Sequence, residues 1–425
     1  MNKLVTICLI PLVLAACDKK EILPGKREAI SGITSSNIDA NTKINSRDRI
    51  VLTMPITATK HITTAGNDQH NACNNKLPLN SKQLWQVSVG RGPINSDIII
   101  ENDKIYAVDA YGVLSIVSAS DGSRLNHVKT WMIANDEDFE GSITTGGNLI
   151  YVASVNKIEA YDKDLNLKLS RDVDSPIKSK IFYTQGKIIV TTIDNQTITL
   201  DAKTLTTLWT DSKAPEKTVM AGSCAPSVYQ DSVIVPYTTG DITRINLSSG
   251  SNIWEETLFS SDMASSGSVI SHISVSPIVF DTRVLVANSE SKMVMFDADT
   301  GSILWTKSIG TINTPSVNSG WIFALTSNKT LVCLNEKDGQ TKWQVSLDDL
   351  YTSEKLSSDI VWFDPLLING DIVLSNSQGD LLTLDVSTGA LKDTNRTGLR
   401  ISRTPVVVNN KMYIVTNQAN IHAFG

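Results

Sequence analysis

A turn glycine is followed four residues later by tryptophan at Gly250/Trp254, Gly301/Trp305 and Gly339/Trp343. Trp209 keeps the same offset from Leu205, in a turn without glycine. Each turn closes a longer pattern. A small or polar residue, usually before proline, opens an apolar run, as in Ala225-Pro226, Ser276-Pro277, Thr314-Pro315, Asp364-Pro365 and Thr404-Pro405. A β-branched or aromatic run comes next, such as "SVIVPY", "RVLVAN" or "KMYIVT". A third run ends in Asp or Asn, such as "KMVMFD" or "DLLTLD", and the turn follows it. Runs of β-formers separated by turn residues read as four short strands. The glycine turns lie about 38 to 51 residues apart. Four strands at that period describe a β-propeller blade. A plain β-sandwich would not return tryptophan at one fixed offset.

Eight units are counted. The early ones are degenerate: Lys104 to Gly122, Leu149 to Asp162 and Lys187 to Asp201; seven blades would follow if one of these is no true repeat. The last unit stops at Gly425 after three strands, whereas "LWQVSV", with Trp85, precedes the first unit. Pairing that N-terminal strand with the last blade closes the ring and removes two open edges. The expected fold is therefore all-β: an eight-bladed propeller of four-stranded antiparallel blades, spanning 81–425. Trp85, Trp209, Trp254, Trp305 and Trp343 are expected to pack one blade on the next.

The N-terminus carries Lys3, an apolar stretch from Leu4 to Ala15, and Leu14-Ala15-Ala16-Cys17. The stretch is too short to span a bilayer as a helix. It resembles a bacterial lipoprotein signal, residues 1–16, with Cys17 as the lipid-attachment residue; an ordinary secretory signal is the alternative. Acyl chains contribute about 0.8 kcal/mol per buried CH₂, so a Cys17 with several chains is a stable anchor. Residues 17–80 are polar and short of aromatics, which predicts a largely disordered tether. "IVLTMPITAT", Ile50 to Thr59, is the exception and reads as a short strand or a partner-binding segment. Cys73, Cys224 and Cys333 are an odd trio, which is not a disulfide framework. Cys224 and Cys333 fall in or beside apolar runs and read as buried thiols.

The repeat, with the lipoprotein signal and the blade count, resembles the pyrroloquinoline-quinone-like propellers, and within them the BamB family of outer-membrane assembly lipoproteins. Ser223 to Trp254 and Ser276 to Trp305 carry the likeness best. The resemblance implies a non-enzymatic scaffold of the machinery that assembles outer-membrane β-barrels. Its partner would be the barrel-inserting subunit, BamA-like, bound through loops at Lys217 to Ser223 and Glu255 to Val275. The contact positions would be Thr218, Met220, Ala221, Gly222, His272 and Ser274. The family's leucines and arginine in the first loop, and its acidic residues in the second, are not kept here. The protein would be a monomer within a hetero-complex, lipid-anchored at the periplasmic face of the outer membrane. Asp18, next to the lipidated cysteine, leaves the inner membrane open.

A quinone-dependent dehydrogenase is the alternative within the same repeat class, and a generic interaction propeller at the inner membrane is a third. The chain has no adjacent cysteine pair of the kind such enzymes carry. It also lacks G-x-S-x-G, H-E-x-x-H and phosphate-cradling glycine loops. No catalytic residue, cofactor or metal is assigned. His61, His70 and Cys73 are too widely spaced for a structural zinc site. "NDEDFE", Asn135 to Glu140, lacks the spacing of an EF-hand loop and reads as a solvated connection. A net charge of −6 offers no basic face for nucleic acid.

Overall fold

A computed structural model describes residues 49–63, 66–71, 73–78, 81–94, 96–131, 141–215, 224–258, 272–350 and 360–425. They form eight four-stranded antiparallel sheets. The innermost strands of blades one to eight are Ile99–Glu101, Ser142–Gly146, Phe182–Thr184, Ser227–Tyr229, Ile278–Phe280, Ser316–Asn318, Leu366–Ile368 and Val406–Val408. Most are three residues long, because strands that converge on the ring axis have little room. Blade five shows the plan: Ile278–Phe280, Arg283–Ala287, Met293–Asp297 and the outer strand Ile303–Lys307. In blade eight the outer strand is Gln83–Ser88, paired antiparallel with Asn420–Phe424. Lys82 and Gly425 exchange main-chain hydrogen bonds at 3.1 and 3.2 Å. The N-terminal strand thus closes the ring, and the degenerate early units are true blades.

Middle strands are buried on both faces, since each sheet packs between two others. Leu285, Met293 and Met295 of blade five meet Ile322, Ala324 and Leu334 of blade six. This explains near-continuous apolar runs where a one-sided sheet would alternate. Outer strands alternate, with the tryptophan inward.

Two contacts join neighbouring blades. On the outside, each tryptophan lies on the turn glycine of the next blade. Trp209, Trp254, Trp305 and Trp343 donate their indole N–H to the carbonyls of Leu247, Ala298, Glu336 and Val386 at 2.9–3.0 Å. A β-carbon on Gly250, Gly301, Gly339 or Gly389 would fall 2.5–2.8 Å from those indoles. Trp85 does the same across the ring closure, donating to Ser120 at 3.2 Å against Gly122. The third-strand Asp or Asn shapes the turn: Asp297 accepts from the N–H groups of Asp299 and Thr300 at 3.1 and 2.8 Å.

The exceptions follow from the same geometry. The turns of blades two and three carry Leu165 and Leu205, at φ +64° and +57°, where the others carry glycine. The blades before them have no tryptophan at the packing position; Asn126 donates to Asp164 at 2.8 Å, and Arg171 to Leu205 at 2.5 Å. Blade seven also lacks the tryptophan. It faces blade eight, where the chain ends replace the turn.

On the inside, the residue before proline does the joining. Ala225 N–H donates to Ser276 Oγ at 2.9 Å, Thr314 N–H to Asp364 Oδ1 at 2.8 Å, and Asp364 N–H to Thr404 Oγ1 at 3.2 Å. At these three joints the residue before proline grips its counterpart in the next blade, and the acceptors are Ser, Asp and Thr.

The described residues from Thr53 to Pro78, read from sequence as tether apart from the stretch up to Thr59, lie along the inner strands. Composition does not show this, because the contacts are mainly main-chain hydrogen bonds to strand edges.

If indole and turn β-carbon exclude each other, substitutions on the two sides must be coupled. Gly301→Leu is expected to cost about 3 kcal/mol through overpacking and left-handed strain. Combined with Trp254→Leu, the loss should fall short of the sum of the single losses by about 1 kcal/mol or more. Urea unfolding of the three variants measures this; simple additivity would refute the exclusion.

Candidate functional site

The connections from each outer strand to the next inner strand share one rim of the ring. The turns between first and second and between third and fourth strands share the other. The central channel opens on the first rim as a cavity of about 580 Å³. Its wall is built from segments leading into the inner strands: Asp97 before blade one, Lys180 before blade three, Ser274 to Ser276 before blade five, Asp364 before blade seven and Arg403 before blade eight. Its other wall is the N-terminal segment, through residues such as His61 and Cys73.

Three charges meet here. Lys180 Nζ is 2.5 Å and Arg403 Nη1 3.3 Å from the Asp97 carboxylate. Arg403 Nε also donates to the Ile94 carbonyl at 3.0 Å. Burial alone would raise the Asp97 pKa; Lys180 and Arg403 outweigh it and hold the carboxyl well below the usual range. Asp364 has the opposite fate: burial pushes it up to about 6. Burial lowers His61 to about 4, so it is neutral at pH 7. Cys73 is pushed upward by burial, which makes it a poor nucleophile. The trio carries a net positive charge, and the Asp364 carboxyl is hydrogen-bonded to the Thr404 side chain. Among the described residues there is no group of three His, Cys, Asp or Glu able to hold a metal. The arrangement can present polar groups and a shaped surface.

Of the expected partner-contact positions, Thr218, Met220, Ala221 and Gly222 lie outside the described residues, as do Cys17 and the acidic cluster 135–140. His272 and Ser274 are turned inward. His272 is buried, and burial, with Lys178 nearby, lowers its pKa to about 4. Ser274 lines the cavity and donates to the Thr311 carbonyl at 2.6 Å. Glu255 belongs to the outer strand Asn252–Thr257, so the connection starts later than its sequence reading had it.

The flanks of the two expected loops are nevertheless neighbours. Lys213 and Glu255 form an ion pair at 2.6 Å upstream of the loops. Cys224 Sγ donates to the Ile273 carbonyl at 3.3 Å downstream of them. Cys224 is half-buried, with its thiol pushed up to about 11 by burial, and Cys333 is fully buried. Stretches 216–223 and 259–271 are thus rooted side by side on the cavity rim.

Sequence reasoning missed Asp97, Lys180, Arg403 and Asp364. Asp364 and Arg403 had a usable signal: they sit at or just before the pre-proline position of the repeat, where residues face the channel.

With the geometry in view, comparison with known proteins is informative. The profile of the family described as "Outer membrane protein assembly factor BamB" matches residues 112–345, more than half the chain. A Yersinia pestis protein of that description is 22% identical over 359 residues, covering 80% of this chain and 88% of its own. Among solved structures, BamB from Moraxella catarrhalis superposes with a TM-score of 0.66 at 16% identity, over 81% of this chain and 98% of its own. A europium-containing methanol dehydrogenase superposes with 0.67 at 10% identity, covering 84% and 89%. Both superpositions speak to the fold alone.

The N-terminal segment also carries the fully buried His70. Its Nδ1 lies 2.8 Å from Ser227 Oγ and 3.3 Å from the Pro277 carbonyl, and burial lowers its pKa to about 4. The unfolded chain takes up this proton near pH 6.5, whereas the folded chain resists until about 4. The stabilisation is therefore complete above pH 6.5 and is lost as the pH falls toward 4. His70→Asn, which keeps a polar atom near the Nδ1 position, is expected to reduce the loss of stability between pH 7 and 4.5 by about 2 kcal/mol. Urea midpoints at the two pH values test this; identical losses in the two proteins would refute it.

Proposed function

Since the chain belongs to the BamB family of outer membrane protein assembly factors, we propose that it is a non-enzymatic scaffold of the machinery that inserts β-barrels into the outer membrane. It binds the barrel-inserting subunit through the rim on which stretches 216–223 and 259–271 are rooted. The observation that supports this most is their pairing at Cys224–Ile273 and Lys213–Glu255. The described flanks of the two connections lie together, and long connections on a rigid frame are where binding is usually placed.

Cys17 is the proposed lipid attachment. Residues 1–16 are its signal, and the outer membrane's periplasmic face its location, with Asp18 favouring the inner membrane instead. No helix among the described residues is long and apolar enough to cross a membrane, so anchorage falls to the lipid.

A photo-crosslinking residue placed at Lys217, at Met263, or at the outer-strand control position Leu391 tests the binding face in cells. The barrel-inserting subunit is expected in the products from the first two positions and absent from the third. Its absence from all three, or equal recovery from all, would overturn the proposal. Separately, Cys17→Ala should abolish incorporation of an alkyne-labelled palmitate and move the protein out of the membrane fraction.

A further inference from the structure

The described residues between 49 and 78 run into the central channel and back out. Thr53 N–H donates to Asn318 Oδ1 at 2.8 Å at the rim of blade six. Asn409 N–H of blade eight donates to the Ala58 carbonyl at 2.7 Å. His61 and Ile100 of blade one exchange hydrogen bonds at 2.7 and 2.8 Å, in antiparallel register. At the far end of the excursion, Val228 N–H of blade four donates to the Asp68 carbonyl and Val279 N–H of blade five to the Gln69 carbonyl, both at 2.8 Å. On the return, Asn75 pairs in parallel with Ile368 of blade seven, through bonds to Leu367 and Asn369 at 2.8 and 2.9 Å. Six of the eight blades are touched in this way.

Those inner strands are the open edges of their sheets. An edge with free N–H and C=O groups takes an extended backbone with little regard to its side chains. We propose that the central channel is a binding site for one extended polypeptide, and that residues 49–78 are its resident, separable ligand.

Three observations carry this. First, the ring is complete without the segment: the closing strand Gln83–Ser88 lies downstream of it, and each blade has its four strands. Second, the segment is held mainly by backbone and amide groups. Asn74 links its two legs to the wall, donating to the Thr53 carbonyl at 2.7 Å and accepting from Gly370 N–H at 3.0 Å. Among its described residues the one fully buried apolar side chain is Ile50, which packs outside the channel with Trp343 and Val386, while Val51 and Met54 are exposed. Third, the fit is incomplete. The cavity of about 580 Å³ remains open beside the segment.

The test uses the whole mature chain with a site-specific protease sequence inserted between Asn80 and Ser81. After cutting, the N-terminal fragment is expected to co-elute with the propeller in gel filtration, with the Val228 and Val279 amides still protected from hydrogen exchange. A fluorescent synthetic peptide of residues 49–78 should then enter the cut protein by displacing that fragment, and should be excluded from the uncut one. Asn74→Ala, which removes two hydrogen bonds, should speed fragment loss about tenfold. A fragment that elutes alone would show that the channel does not bind it. A retained fragment that never exchanges would show a built-in core element and no site. Either result overturns the inference and leaves the reading of the rim untouched.

Discussion

An indole resting where a glycine has no β-carbon is the contact on which the ring depends. The turn at that point must be left-handed: Gly250, Gly301, Gly339 and Gly389 have φ between +68° and +76°. Glycine adopts this without strain. The missing β-carbon leaves a flat patch of backbone, and the tryptophan of the preceding blade covers it while its N–H satisfies a turn carbonyl. One contact thus buries a large ring, pairs a polar group and fixes the angle between blades. Trp85 on Gly122 repeats it at the seam, so closure uses the same chemistry as propagation.

The inner joints have a different character. There the grip is polar, from a pre-proline N–H to a Ser, Thr or Asp oxygen of the next blade. Apolar staples outside and polar staples inside leave a channel lined by short strands whose inner edges are unpaired within their own sheets. A propeller built this way must do something with those edges, and here a stretch of the same chain covers several of them.

How much of this was legible in the sequence depends on the range of each interaction. The strand pattern and the glycine turn are local, and blade count and closure followed from them. The tryptophan was legible as a staple, but its offset from the nearest glycine misleads. Trp305 stands four residues after Gly301 yet packs on Gly339, while Gly301 receives Trp254. The role of residues 49–78 was hidden, because edge pairing uses backbone groups that every residue has. Asp97, Lys180 and Arg403 come from three blades and were hidden by distance along the chain. The two rim loops were chosen from a resemblance, the second also for its length and serine content; nothing in their composition shows that their flanks touch.

These constraints also separate the two rims. The described chain begins near the turn of blade seven, where Ile50 N–H donates to Ser387 Oγ at 3.1 Å. It enters the channel beside Asn318 and Asn409 and leaves beside Asn369, all in turns of that same rim. The connections of uneven length, and the mouth of the cavity, belong to the opposite rim. Ile50 thus lies on one rim, and the described flanks of the connections proposed to bind a partner lie on the other.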